Sequence, residues 1–252
     1  MMSSNAHREA YRNAVDTIES VDNNGRKKYV VNRNPKGGNE VGAKTIRVTQ
    51  SYLRSEIILN PNLTNYSFGI LDRDIPVGAT GLFPTEQRLK QQDVFFTYSL
   101  GFYILCASTS GGNTSFLYEL MTFPNPNFYG SFGINLDLMV GLWTSGSLQV
   151  SVNNDVLTPA WDLKKHFFVP ETQINTTTWP ANSAYFNEVN YEHNGHCIVE
   201  PNWIINGGNN NQYVITYPQS ISNIGLTSGN FRLVLDWRGF LAQNCSSLMD
   251  NK

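Results

Sequence analysis

One short segment holds several of the side chains that bind metal ions. The segment Glu192–Cys197 reads EHNGHC and offers imidazole, thiol and carboxyl groups, all of which are ligands for zinc and similar ions. The spacing matches no common zinc site, and the Asn-Gly pair between the two histidines is a favoured hairpin turn. We therefore predict a turn that happens to carry two histidines, with no metal site and no cofactor.

Paired carboxyl groups are the second feature with chemical potential, because two of them serve as acid and base in most glycosidases. The nearest pairs are Asp72 with Asp74 and Glu188 with Glu192. The Asp72-Arg73-Asp74 segment reads more simply as a turn closed by a local ion pair. The sequence has no Gly-x-Ser-x-Gly nucleophile elbow, no phosphate-binding loop and no dinucleotide fingerprint. We therefore predict no catalytic residue and a protein that is not an enzyme.

Five tryptophans raise the possibility of a sugar-binding platform. Trp237 lies on an alternating strand pattern and is more simply a core residue. Trp161 and Trp179 lie near prolines in predicted loops, so they are the better candidates for contact with a ligand or another subunit.

The amino-terminal part of the chain is basic, whereas the rest is acidic. Residues 1–54 contain ten Lys and Arg against five Asp and Glu, and the remainder contains eight against fifteen. A solvated arm and a surface that contacts phosphate, on nucleic acid or anionic lipid, both fit this pattern. No aromatic ladder accompanies the charges, so sequence-specific nucleic-acid binding is not predicted. The basic residues in question are Arg26, Lys27, Lys28, Arg33 and Lys36.

A first helix is predicted from a cap at Ser3, Ser4 or Asn5 to about Ser20. In it Tyr11, Val15 and Ile18 form an apolar stripe at helical spacing. The following segment, 22–44, is rich in Gly, Asn and basic residues, which favours an extended tether.

Most of the remaining chain alternates between apolar and polar residues, as half-buried strands do. The clearest example is Phe132–Val140. Asparagine occurs 30 times, with 20 Gly and 11 Pro, and these residues favour many turns between short strands. One internal helix is predicted at Thr85–Gln92. The strand candidates are 45–50, 53–59, 64–70, 94–107, 115–121, 131–141, 147–152, 166–169, 174–178, 185–191, 196–199, 203–206, 212–217 and 231–237.

The segment Leu82–Phe96, LFPTEQRLKQQDVFF, places a predicted short helix between a Pro- and Gly-rich loop and a long apolar strand. With the charged amphipathic head and two successive β modules, the chain resembles the double jelly-roll major capsid proteins of tailless icosahedral bacteriophages with an internal membrane. It is most similar to those of flavobacterial single-stranded DNA phages.

This resemblance implies an all-β fold of two tandem eight-stranded jelly rolls with a short amino-terminal amphipathic helix. Its domains would be a basic helix and arm (1–44), a first jelly roll (45–155) and a second jelly roll (156–252). The subunit would form homotrimers, contact neighbouring capsomers and other capsid proteins, and assemble in the host cytoplasm into a virion shell. The amino-terminal segment would face the internal membrane, which gives the apolar stripe and the basic residues a membrane- or nucleic-acid-facing role.

Two other functions fit the sequence. One is a carbohydrate- or receptor-binding β-sandwich, such as a viral spike or a surface lectin. The other is a hydrolase built on a β-sandwich.

Overall fold

A computed structural model describes residues 2–19, 29–31, 44–74, 83, 85–107, 118–124, 135–169, 195–220, 222 and 231–245. Within these residues the chain is mostly β-sheet, as the all-β prediction requires. The helices are α1 (Met2–Ile18) and α2 (Leu136–Thr144). The strands are β1 (Tyr29–Val31), β2 (Lys44–Ile46), β3 (Val48–Ile58), β4 (Asn65–Phe68), β5 (Val94–Ala107), β6 (Tyr118–Met121), β7 (Ser147–Val152), β8 (Asp155–Asp162), β9 (His196–Ile198), β10 (Ile204–Asn206), β11 (Asn211–Thr216) and β12 (Phe231–Ala242).

The larger sheet is built around β5, which is 14 residues long. One edge of β5 pairs antiparallel with β12, and β12 in turn pairs with β3. The other edge of β5 pairs in succession with three short strands, β10, β9 and β6. The near-continuous run of apolar side chains in β5 is buried on both faces, because the small sheet packs on the inner face and α1 packs on part of the outer face.

The smaller sheet has four antiparallel strands in the order β4-β11-β7-β8. Asn153 and Asn154 join β7 to β8, with φ angles of 50° and 71°. Asparagine tolerates this left-handed conformation, and two such residues in a row make the tight turn that suits a hairpin.

The inner faces of the two sheets pack against each other in one hydrophobic core. Tyr213 from the small sheet meets Trp237 from the large sheet edge to face, with ring centroids 5.2 Å apart. Strands from both sides of residue 155 contribute to each sheet, and the predicted boundary 155/156 falls in the first residues of β8. The strands of the larger and smaller sheets therefore form one two-layer sandwich that does not divide there, and β1 and β2 pair separately from it.

The prediction of a strand over Phe132–Val140 is wrong for the residues that the structure describes, because Leu136–Thr144 is the helix α2. The Asn135 side chain accepts hydrogen bonds from the backbone amides of Asp137 and Leu138, which is the arrangement of a helix cap. The residues that α2 buries are spaced as in a helix: Met139, Leu142 and Trp143.

The predicted helix Thr85–Gln92 is also wrong. Gln87 exchanges two backbone hydrogen bonds with Arg54, and Leu89 bridges to Leu71. The segment therefore runs extended along the β3 edge of the large sheet, so one feature on which the phage resemblance was based is not observed.

The amino-terminal arm and two strands also differ from the prediction. The predicted tether contains β1, which pairs parallel with β2. Residues 163–166 form a 3-10 turn and 167–169 are irregular, so no strand occupies 166–169, whereas the strand β8 was not predicted. The helix α1 is confirmed, although it begins at Met2, before the predicted cap.

Candidate functional site

Strand register places a polar cluster on the outer face of the large sheet. Asp236 of β12 is paired with Arg54 of β3 on one side and with Gly101 of β5 on the other, and Gly101 is paired with His196 of β9. A methyl group at position 101 would lie 2.6 Å from the Tyr103 ring and 2.9 Å from the His196 ring. Glycine is therefore required for the imidazole to lie over β5 and approach Asp236.

His196 contacts a hydroxyl on one side and a carboxylate on the other. Its Nδ1 lies 3.4 Å from Ser99 Oγ, and its Nε2 lies 3.4 Å from Asp236 Oδ2. Burial lowers the pKa of His196, and the neighbouring Asp236 partly opposes that effect. No sequence pattern predicted this Ser-His-Asp set, because the three residues are far apart in the chain and only strand pairing brings them together.

The geometry of this set favours a structural role. Ser99 is 5% exposed and His196 is 8% exposed, so no substrate carbonyl has room beside the hydroxyl. Both contacts are longer than good hydrogen bonds. The carboxylate also faces Nε2 and the serine faces Nδ1, the reverse of the arrangement in serine hydrolases. The cluster thus holds β9 to β5 and β12.

A second histidine, His166, is fully buried where the two sheets meet. Trp161 Nε1 donates a hydrogen bond of 2.8 Å to His166 Nε2, and His166 Nδ1 lies 2.7 Å from the carbonyl oxygen of Gly195. Since an indole nitrogen can only donate, Nε2 is the acceptor and Nδ1 carries the proton given to Gly195. Burial lowers the pKa of His166 to about 4, so the ring is neutral at neutral pH.

The predicted metal candidates do not converge in the part that the structure describes. Residues 192–194 lie outside the described ranges. His196 and Cys197 are adjacent on β9 and therefore point to opposite faces, and Cys197 Sγ donates to the Lys165 carbonyl oxygen at 3.2 Å. No group of three or more His, Cys, Asp and Glu side chains suited to a metal ion occurs among the described residues.

The first carboxyl pair, Asp72 with Asp74, lies in a turn where Asp74 binds backbone amides. Residues Asp72–Asp74 form a 3-10 turn, in which Asp74 Oδ2 accepts from the amides of Ile70 at 3.2 Å and Leu71 at 2.9 Å. Arg73 donates to the carbonyl oxygen of Asn209. The turn was predicted correctly, although Arg73 contacts Asn209 and not a neighbouring aspartate. The second pair, Glu188 and Glu192, lies outside the described residues.

A buried ion-pair network was missed by the sequence reasoning. Glu56 has a fully buried side chain and accepts from Arg54 at 2.9 Å and from Arg232 at 3.0 Å. Arg232 also lies over the Phe83 ring, 3.7 Å from its centroid. The network fixes the extended segment around residues 83–89 to the outer face of β3 and β12.

Four of the five tryptophans fall within the described residues. Trp143 and Trp237 are fully buried, and Trp203 is nearly so. Trp161 is partly buried, its indole nitrogen is bonded to His166, and Lys165 Nζ lies 4.1 Å from the centroid of its ring. Trp179 lies outside the described residues. The described tryptophans therefore form no exposed aromatic platform.

The apolar stripe of α1 packs on the protein's own sheet. Val15 and Ile18 are 2% and 3% exposed, Tyr11 is partly buried, and the partners include Phe96 and Phe240. The residues on the exposed side of α1 are polar: Arg8, Glu9, Arg12, Asn13 and Asp16. In this structure the stripe thus contacts the large sheet and is not available to a membrane. The five basic residues Arg26, Lys27, Lys28, Arg33 and Lys36 lie outside the described residues.

Several large apolar side chains are exposed on the sandwich. On β8, Val156 and Leu157 are each 50% exposed. Ile198 on β9 and Ile204 on β10 are 43% and 38% exposed on the same face as α1. Among the described strands β8 is the outer strand of its sheet, and its pairing with β7 contains two register shifts and Pro159. Such irregularities disfavour addition of another strand, so contact through β8 would use side chains.

No helix in the described part of the chain has the length and apolar character needed to cross a membrane. No protein-family model, curated protein or solved structure gives a significant match to the chain.

Proposed function

We propose that the protein is a structural virion protein, a major capsid subunit that self-assembles as trimers into an icosahedral shell over an internal membrane. In this role it contacts copies of itself and other capsid proteins, and it has no reaction centre. The proposal uses the single sandwich formed by the described strands and does not depend on a second jelly roll.

The observation that carries the proposal is the exposure of the adjacent pair Val156 and Leu157 on an outer strand. Leu157 is the extra residue at a register shift opposite β7, and together with Val156 it presents apolar area to water on this strand. Exposed apolar patches are a feature of surfaces that contact other proteins. The polar clusters of the described sandwich, in contrast, are occupied by internal hydrogen bonds and ion pairs.

Light scattering after size-exclusion chromatography tests the proposal. We expect the wild-type chain to elute as a trimer and the double substitution Val156→Ser with Leu157→Ser to shift it towards the monomer without a change in melting temperature. Leu63→Ser is the matched control, because Leu63 is 48% exposed but lies beside a turn. A wild-type chain that stays monomeric at all concentrations would contradict the proposal.

The membrane-facing part of the proposal assigns contact to the basic residues Arg26, Lys27, Lys28, Arg33 and Lys36. Contact through Tyr11, Val15 and Ile18 would require α1 to leave the sheet. Flotation with anionic vesicles at low salt measures this binding. Replacing all five basic residues with Ser should abolish flotation, because the attraction is electrostatic. Undiminished flotation of that variant would remove this part of the proposal.

The alternative is a carbohydrate- or receptor-binding sandwich. A monomer retained on a glycan column would favour it over the capsid subunit.

A further inference from the structure

His166 joins two parts of the fold that no strand pairing connects. Trp161 belongs to β8 of the small sheet, and Gly195 directly precedes β9 of the large sheet. The imidazole of His166 is hydrogen-bonded to both, at 2.8 Å and 2.7 Å. Within the described residues one other hydrogen bond joins these segments, from the Cys197 thiol to the Lys165 carbonyl oxygen.

We propose that His166 is a pH-sensitive latch that holds Trp161, at the end of β8, against the start of β9 when neutral and releases Trp161 when it is protonated. A proton on Nε2 would point at the indole N–H of Trp161, so two donors would face each other and the acceptor would be lost. Either the indole or the imidazole must then move. The bond from Nδ1 to Gly195 exists in both charge states and is stronger when the ring is charged, so the contact that opens is the one between His166 and Trp161.

The charged or titratable groups near the His166 imidazole lie on its own turn, at the end of β8 and on β9. Lys165 on its own turn and His196 on β9 disfavour the added proton, whereas Asp162 at the end of β8 favours it. The β5 neighbour is the uncharged ring of Phe102, at 6.4 Å between centroids. No described carboxylate hydrogen-bonds to His166, so the protonated ring has no anionic partner to replace the lost bond.

The elements that the latch joins are suited to local opening. Among the described strands β8 is paired on one edge only, and β9 has three residues. Opening them leaves the long pairing of β5 with β12 untouched. Because burial lowers the folded-state pKa of His166 from 6.5 to about 4, the latch is fully closed above pH 6.5 and weakens as the pH falls towards 4.

The test uses the full chain and nuclear magnetic resonance. The Trp161 indole N–H signal, assigned from the Trp161→Phe spectrum, is followed from about pH 7.5 to about pH 3. We expect this signal to shift with a one-proton transition. Exchange of the amides of residues 161–166, corrected for intrinsic rate, should rise about tenfold before that of β12 does.

Two variants separate His166 from the other buried histidine. His166→Gln stays neutral and should remove the transition, whereas His196→Gln should retain it. The same transition in His166→Gln, or loss of β12 protection at the same pH as residues 161–166, would overturn the proposal.

Trp161→Phe provides a test that does not change the histidine. It removes the N–H that stabilises the neutral ring, so the titration midpoint of the His166 C2 proton should move upward. An unchanged midpoint would show that Trp161 does not sense the proton and would also overturn the proposal.

Discussion

The two faces of the large sheet are buried by different physical means. The inner face is mainly apolar and packs against the small sheet, with side chains such as Leu100, Phe102 and Trp237 fully buried. The outer face is apolar where α1 covers it and in a small cluster of Tyr103, Leu105 and Val234. Farther along, it buries Glu56 with arginine partners and His196 with Asp236.

This difference teaches that the stability of the inner face depends on how much apolar side chain it buries. The stability of the polar part of the outer face depends on whether each buried charge has a partner. An apolar side chain contributes in proportion to the area it removes from water. A buried charge costs several kcal/mol unless its partner is present. Substitutions on the two faces should therefore destabilise the protein for different reasons.

The largest effect is expected on the inner face. Trp237→Ala removes a fully buried indole that packs edge to face on Tyr213 and should lower the free energy of unfolding by about 4 kcal/mol. Denaturant unfolding measures this loss. Trp237→Phe is the matched control, because it preserves an aromatic ring and should recover about half of the loss. Equal losses for both variants would show that the ring contact contributes little.

Glu56→Gln tests the outer face with almost no change in volume. The amide cannot neutralise Arg54 and Arg232, which bind the carboxylate at 2.8 Å and 3.0 Å. Leaving buried cations unpaired should cost about 3 kcal/mol.

A double substitution, Glu56→Gln with Arg232→Met, provides the control for that variant. It removes an unpaired cation together with the carboxylate and should be more stable than Glu56→Gln alone. If the double variant is less stable, packing and not charge pairing stabilises the outer face, and the difference drawn between the two faces is wrong.

The sequence predicted which residues of a strand lie on its buried face, but it did not predict which strands pair with one another. The alternating runs at 212–217 and 231–237 predicted β11 and β12, because one buried face imposes a period of two, and the long apolar run at 94–107 predicted β5. The spacing of Tyr11, Val15 and Ile18 likewise predicted a helix. Ser99, His196 and Asp236, in contrast, come together only through the pairing of strands that are far apart in the sequence.

The error at α2 has a specific physical cause. Leu136, Leu138 and Val140 alternate as in a strand, yet each is only partly buried, and the fully buried residues are Met139, Leu142 and Trp143. The predicted strand ended at Val140, so the segment contained too few helical turns to distinguish the period of a helix from the period of a strand. The decisive signals were the cap at Asn135 and the apolar pair after Gly141.

Gly101→Ala tests whether the histidine cluster is tightly packed. The added methyl group would meet the rings of Tyr103 and His196 at less than van der Waals distance, so we expect a loss of about 2 kcal/mol in thermal unfolding. Combining it with His196→Ala opens space and should give less than the sum of the two single losses. Additive losses would show that the two residues do not contact each other.

The smallest effect is expected where the outer face is apolar. Val15→Ala removes two buried methyl groups from the contact between α1 and the large sheet and should cost about 1.5 kcal/mol. Asp16→Ala is the matched control, because its exposed side chain lies on the opposite side of the helix and should change stability by less than about 0.5 kcal/mol. Hydrogen exchange gives the readout: amides of α1 should exchange faster in Val15→Ala, while those of β5 and β12 stay protected, since their own pairing is intact. Unchanged exchange in α1 would mean that the helix does not depend on docking to the sheet, and the outer face would then be held by its polar pairs alone.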